Sequence, residues 1–225
     1  MQGARVDTVV HGGSVVTSTH AYEASIAIKG EQIVAVGPME VLPPADNYID
    51  AGGKYVLPGA IDCHVHFGNA DDYQVGTTAA AYAGLTTVMP FGVVDSAGEE
   101  TLPQAITRLK EEVARHSVVD VAFHLILGNP PYIVESIPEA VRMGVSSFKM
   151  FMNYKKQVTR MCSDAYIARV MEIVSAHGGI VQLHCENGDI IDYLEDKAIA
   201  EGRTHPRDFP ATCPVWVEEE AINRA

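Results

Sequence analysis

From Val56 onward the chain repeats one unit, a short apolar run followed by an amphipathic stretch, and this alternation restricts the fold more than any other feature. Strands alternating with helices are the pattern of parallel βαβ units. VLPGAIDCHVHF, TTVMPFG, VVDVAFHLILG, SSFKMFMNY and GIVQLHCEN read as five strands. Helices are predicted around VGTTAAAYAG, TLPQAITRLKEEVARHS, IPEAVRMG, SDAYIARVMEIVSAHGG and GDIIDYLEDKAIAEG, and VEEEAINRA begins another. Leu102, Ile106, Leu109 and Val113 share one face of the second helix. Ile167, Val170, Met171 and Val174 keep the i, i+3, i+4, i+7 spacing of an amphipathic helix, with Ser163 placed to cap its start and Gly178 to end it.

A closed (β/α)8 barrel needs eight such units in about 250 residues. Five can be counted here, in 225 residues. Residues 1–55 differ in character: VDTVVHGGSVVTS, EASIAIKGEQIVAVG and DNYIDAGGKYVLP are β-branched runs separated by Gly-rich turns, which predicts a small antiparallel β unit. The expected fold is α/β, with residues 1–55 as a β segment and residues 56–225 as the first five to six units of a partial (β/α)8 (TIM) barrel. The remaining units are expected beyond Ala225; an open α/β sheet is the alternative.

Composition narrows the partners. Hydrophobic residues make up 47% and charged residues 20%, an ordinary globular mixture. No apolar run is long enough to span a bilayer, and MQGARVDTVV lacks the basic-then-apolar layout of a signal peptide. A net charge of -13 argues against nucleic acid or an anionic membrane as partner, since both recruit clustered Lys and Arg. Cys63, Cys162, Cys185 and Cys213 include no C-x-x-C pair, so reduced thiols in a cytoplasmic protein are expected.

Strand alternation then selects candidate chemistry. His64 and His66 are two apart near the end of the first strand, so both side chains face one way, and Asp62 precedes them. In an α/β barrel the C-terminal ends of the strands carry the active site, and two adjacent imidazoles there could form half of a metal site. His184 ends another strand, with Glu186 on its face. His124, inside VAFHLILG, has no such companion and reads as a satisfied core histidine; His11, His20, His116, His177 and His205 fall in turns or at helix ends.

Lys149 lies in the middle of the apolar strand SSFKMFMNY, where an unpaired ammonium costs several kcal/mol. It could be a snorkelling amine, a Schiff-base nucleophile or a metal ligand. An ammonium has no lone pair for a metal. Desolvation lowers an amine's pKa, and the neutral amine can add carbon dioxide to give a carbamate with two anionic oxygens. Beside His64, His66 and His184, that third reading is favoured.

GAIDCHVHF, SSFKMFMNYK and VQLHCENGD, in that order and spacing, resemble the dihydropyrimidinase and hydantoinase family of cyclic amidases, within the amidohydrolase superfamily. The resemblance runs from the β segment to EEEAINRA. It implies a (β/α)8 barrel flanked by a β-sandwich built from both chain ends, and two zinc ions. His64 and His66 match the ligands of one metal, Lys149 the carboxylated lysine bridging the pair, and His184 a ligand of the second. Tyr154 matches the tyrosine that hydrogen-bonds the substrate carbonyl. The implied reaction opens a dihydropyrimidine or a 5-substituted hydantoin to an N-carbamoyl amino acid, in a homotetramer or homodimer. A further histidine and a strand-eight aspartate are expected beyond Ala225, so the chain alone is expected to hold part of the site.

Two features depart from the family. The loop HFGNADDYQVGT is short, and VMPFG carries Pro90 where relatives have Asp. The alternatives are another ring-opening enzyme of the allantoinase or dihydroorotase type, or a non-catalytic interaction protein resembling dihydropyrimidinase. Retention of His64, His66, Lys149 and His184 argues against the last.

Overall fold

The computed structural model describes residues 5–67, 71–95, 99–128, 131–157 and 160–225, with backbone only for 131 and 132. The short loop through residues 68–70 lies outside the described residues. The chain divides into two compact units, Met1–Ala60 and Ile61–Ala225.

The first unit is a five-stranded sheet. β1 (Val6–Val16) pairs antiparallel with β2 (Ala21–Lys29), which pairs antiparallel with β3 (Gln32–Gly37). On the other edge, β4 (Ala45–Asp50) and β5 (Tyr55–Val56) lie one after the other along β1, both parallel to it. The sheet is therefore mixed, where the sequence predicted an antiparallel unit. After β3 a 3-10 turn at Met39–Val41 and the Pro43–Pro44 pair carry the chain to the far edge, where it runs with β1. The register of β1 against β2 shifts between Val10 and Gly13. A Cβ on Gly13 would come within 2.9 Å of the Ala51 side chain, so glycine is what lets the strand pass this close. His11 lies within β1 and not in a turn. Val6, Val9, Ala27 and Ala45 form the small core.

The second unit is a parallel sheet in the order β11-β10-β9-β7-β6, the half-barrel order expected when successive βα units add neighbours one by one. The strands are β6 (Ala60–Val65), β7 (Leu85–Val93), β9 (His124–Ile126), β10 (Ser147–Phe151) and β11 (Ile180–His184). The predicted strand VVDVAFHLILG is interrupted: β8 (Asp120–Val121) and β9 keep the same register against β7, with Thr87 opposite Asp120 and Phe91 opposite His124. At this register Pro90 aligns with Phe123 in the gap, and proline has no N–H to give to the ladder.

Helices α1 (Tyr73–Tyr82), α2 (Leu102–His116), α3 (Pro131–Glu135), α4 (Ile137–Arg142), α5 (Asp164–Ala176), α6 (Gly188–Ala200) and α7 (Val215–Arg224) follow the strands. Ser163 caps α5 by accepting from the Tyr166 N–H, and Gly178 ends it in the left-handed region. Phe148 and Met150 of β10 are fully buried and pack in one core with Leu102, Ile106, Ile137, Val170 and Val174. Met171, predicted on the buried face of α5, is exposed. Because Phe148 and Met150 take the core-facing side of β10, alternation turns Lys149 and Phe151 to the opposite face.

Candidate active site

β7, β9, β10 and β11 pair in parallel, so their C-terminal ends lie along one edge of the sheet, in which β6 follows β7. There, a cavity of about 410 Å³ is lined by His64, His66, Lys149, Tyr154 and His184, together with Phe67, Phe91, Val93, Ile126, Phe151 and Arg160. Every site residue predicted from the sequence opens onto this one space.

His64 Nε2 and His66 Nε2 are 3.3 Å apart. The Phe91 ring fixes both: it stacks on His66 at 4.9 Å and 16°, and leans on His64 at 4.6 Å. Asp62 accepts from the His64 backbone N–H, so it shapes the strand end and does not face the imidazoles as a partner. The pKa of His66 is lowered, first by burial and then by the charges of His64, Lys149 and Arg160, which favours the neutral ring.

Lys149 Nζ lies over two aromatic faces, 5.9 Å from the Phe91 centroid and 5.3 Å from that of Phe151. Burial pushes its pKa below the ordinary lysine range, opposed in part by the charge interaction with Cys185. Such an amine gives up its proton more readily than a solvated one.

His184 Nε2 lies 2.7 Å from Glu186 Oε2, and Asn153 Nδ2 donates to that same oxygen at 2.7 Å. The carboxylate can only accept, so it holds a proton on Nε2 and leaves Nδ1 as the ring nitrogen open to another partner. Asn153 is 3% exposed, and its Oδ1 has no hydrogen-bond partner among the described residues. β10 ends at Phe151, so Tyr154 lies beyond the strand and not within it. Its φ of +62° is in the left-handed region, rare for an aromatic residue, and the ring sits 5.9 Å from that of His184.

One layer earlier along the strands, His124 is buried as predicted. Its Nε2 donates to the Cys63 carbonyl at 2.9 Å, while Nδ1 lies 2.7 Å from Ser147 Oγ and receives the Gln182 Nε2–H at 2.8 Å. This layer ties β6, β9, β10 and β11 together two residues or fewer before His64, Ile126, Lys149 and His184.

Arg160, Phe91 and Asn153 were missed by sequence reasoning. Arg160 follows no periodic stretch, and nothing in QVTRM marks it as facing the site. Among the described residues no group of three or more His, Cys, Asp or Glu side chains is arranged to hold a metal ion. The gathered donors are instead two imidazoles, a lysine amine and a third imidazole.

Residues 55–212 match the sequence profile described as the Amidohydrolase family. The chain belongs to the amidohydrolase family. A D-hydantoinase of Geobacillus stearothermophilus is 35% identical over 96% of this chain and 47% of its own length. An allantoinase of Escherichia coli (strain K12 / DH10B) is 31% identical over 97% of this chain and 49% of its own. The crystal structure of dihydropyrimidinase from Brevibacillus agri NCHU1002 superposes with a TM-score of 0.87 at 35% identity, over 96% of this chain and 48% of that one. The chain thus spans about half the length of the curated relatives it matches. No helix among the described residues is long and apolar enough to cross a membrane.

Proposed function

We propose that this chain supplies part of the active site of a zinc-dependent cyclic amidohydrolase, which opens the ring amide of dihydropyrimidines or 5-substituted hydantoins to N-carbamoyl amino acids. The observation that carries this reading is the convergence of His64, His66, Lys149, Tyr154 and His184 on one cavity at the C-terminal ends of parallel strands. Residues 1–55 would contribute a β-sandwich segment and residues 56–225 the first part of a (β/α)8 barrel, in a cytoplasmic homo-oligomer.

The donor set fits zinc. Two imidazole nitrogens, each ~2.05 Å from a tetrahedral zinc, lie ~3.3 Å from one another. The His64 and His66 Nε2 atoms have that separation before any metal is added. His64 and His66 would hold one cation and His184 Nδ1 a second, with Lys149, carboxylated on Nζ, between them. When bound, the cations would supply a hydroxide at neutral pH and polarise the ring carbonyl.

The rest is done by side chains of this chain. Burial favours the neutral form of Lys149, the form that would take up carbon dioxide. Glu186, steadied by Asn153, fixes the tautomer and direction of His184. The Tyr154 hydroxyl donates toward the carbonyl oxygen, where negative charge develops during attack. The left-handed backbone at Tyr154 turns the ring back over the strand ends it has just left.

The test is zinc content together with opening of hydantoin and dihydrouracil by the protein that contains this chain. Two zinc ions per chain and turnover of either ring are expected. A protein that binds no zinc and opens neither ring would overturn the reading.

A further inference from the structure

The active-site cavity lies in a chain of net charge -13, yet none of the described residues lining it is an Asp or a Glu. Two basic side chains line it, Lys149 and Arg160. Lys149 already has a place in the reading above. Arg160 does not.

The Arg160 guanidinium lies over two aromatic rings, its Cζ 5.7 Å from the Phe151 centroid and 6.0 Å from that of Tyr154. A guanidinium held against aromatic rings keeps N–H donors for a planar oxyanion. Among the described residues five arginines pair with carboxylates, Arg108 with Glu100 at 2.8 Å and Arg224 with Asp164 at 2.7 Å among them, while Arg115, Arg169 and Arg207 do not. Among the described residues Arg160 has no carboxylate within ion-pair distance. It is a planar donor, beside two rings, on a cavity with no Asp or Glu among its described lining residues. That arrangement suits a carboxylate of the ligand.

We infer that Arg160 selects a cyclic substrate carrying a carboxylate on the substituent next to the reacting ring carbonyl. The inference rests on the proposed ring-opening site and deepens it. Arg160 lies over Tyr154, the residue assigned to the carbonyl oxygen, so a group it grips would belong to the adjacent ring carbon, position 5 of a hydantoin. The carboxylate released by ring opening is common to all substrates and cannot produce this selectivity.

The test is calorimetric titration of the zinc-loaded full chain with hydantoin-5-acetic acid and with hydantoin-5-acetamide, which match in shape and differ in charge. The acid is expected to bind at least about tenfold more tightly, the size of one charge-assisted bidentate contact. Arg160→Gln should bring the ratio between the two ligands close to one, and Arg160→Lys, which keeps the charge and loses the fork, should leave an intermediate ratio. A wild-type ratio near one, a ratio that survives in Arg160→Gln, or binding of neither ligand would overturn the inference. Opening of unsubstituted hydantoin is measured in parallel. If that activity is present while the acid shows no preference, the proposed function stands and the role of Arg160 falls.

Discussion

Glu186 Oε2 sits 2.7 Å from His184 Nε2 and takes a second hydrogen bond of 2.7 Å from Asn153 Nδ2. One oxygen therefore sets the tautomer of His184 and the position of a buried amide. Glu186→Ala leaves the imidazole free to rotate and both nitrogens undefined. Zinc affinity should fall about 10–100-fold, read by competition with a chromophoric chelator, while the fold survives. Unchanged affinity would mean that His184 takes no part in holding the metal.

Lys149→Ala removes the amine that, on the proposed reading, would become the anion shared by two cations. On that reading it should abolish the metal pair and ring opening together. Added short carboxylic acid with zinc should restore part of both. Metal analysis finding full zinc in Lys149→Ala would defeat the assignment of a carboxylated lysine.

Tyr154→Phe keeps the ring contacts with Phe151 and His184 and deletes one hydroxyl. Removing a donor aimed at a developing oxyanion costs about 10²–10³ in kcat. The loss should appear in kcat with KM little changed, and thermal stability should stay at the wild-type value. A rise in KM alone would instead place the hydroxyl on the bound ground state.

Glu100 supplies a pH dependence. The Arg108 guanidinium hydrogen-bonds its carboxylate and holds its pKa below the ordinary 4.5, against the opposing effect of burial. The folded state binds this proton less readily than the unfolded chain, so stability from the pair is present above the ordinary value and is lost as pH falls through the folded one. Thermal unfolding should show a fall in Tm below about pH 4.5 that is shallower in Glu100→Gln. Parallel profiles for both proteins would remove the pair from the stability balance.

Much of the site was legible in the sequence because strand alternation is rigid. His64 and His66 share a face by being two apart, and Lys149 is exposed to the cavity because Phe148 and Met150 take the core side. What stayed hidden depends on three-dimensional neighbours. Arg160 belongs to a segment without period, and its place over Phe151 and Tyr154 comes from where the chain returns after the left-handed turn. The parallel pairing of β4 and β5 with β1 depends on a crossover that local propensity does not encode. The gap between β8 and β9 traces to Pro90 on a different strand. Met171 kept helical spacing and is nonetheless exposed, while Ile167, Val170 and Val174 of the same helix are buried.

The contrast between a cavity holding Arg160 and no Asp or Glu among its described lining residues and an acidic chain also governs arrival. A negatively charged visitor is repelled at a distance and drawn in only over the last few ångströms. Dissolved ions damp the first effect over about 8 Å at physiological ionic strength and act less on the sheltered second. For such a visitor, added electrolyte should speed capture, the reverse of what a uniformly attractive surface would do.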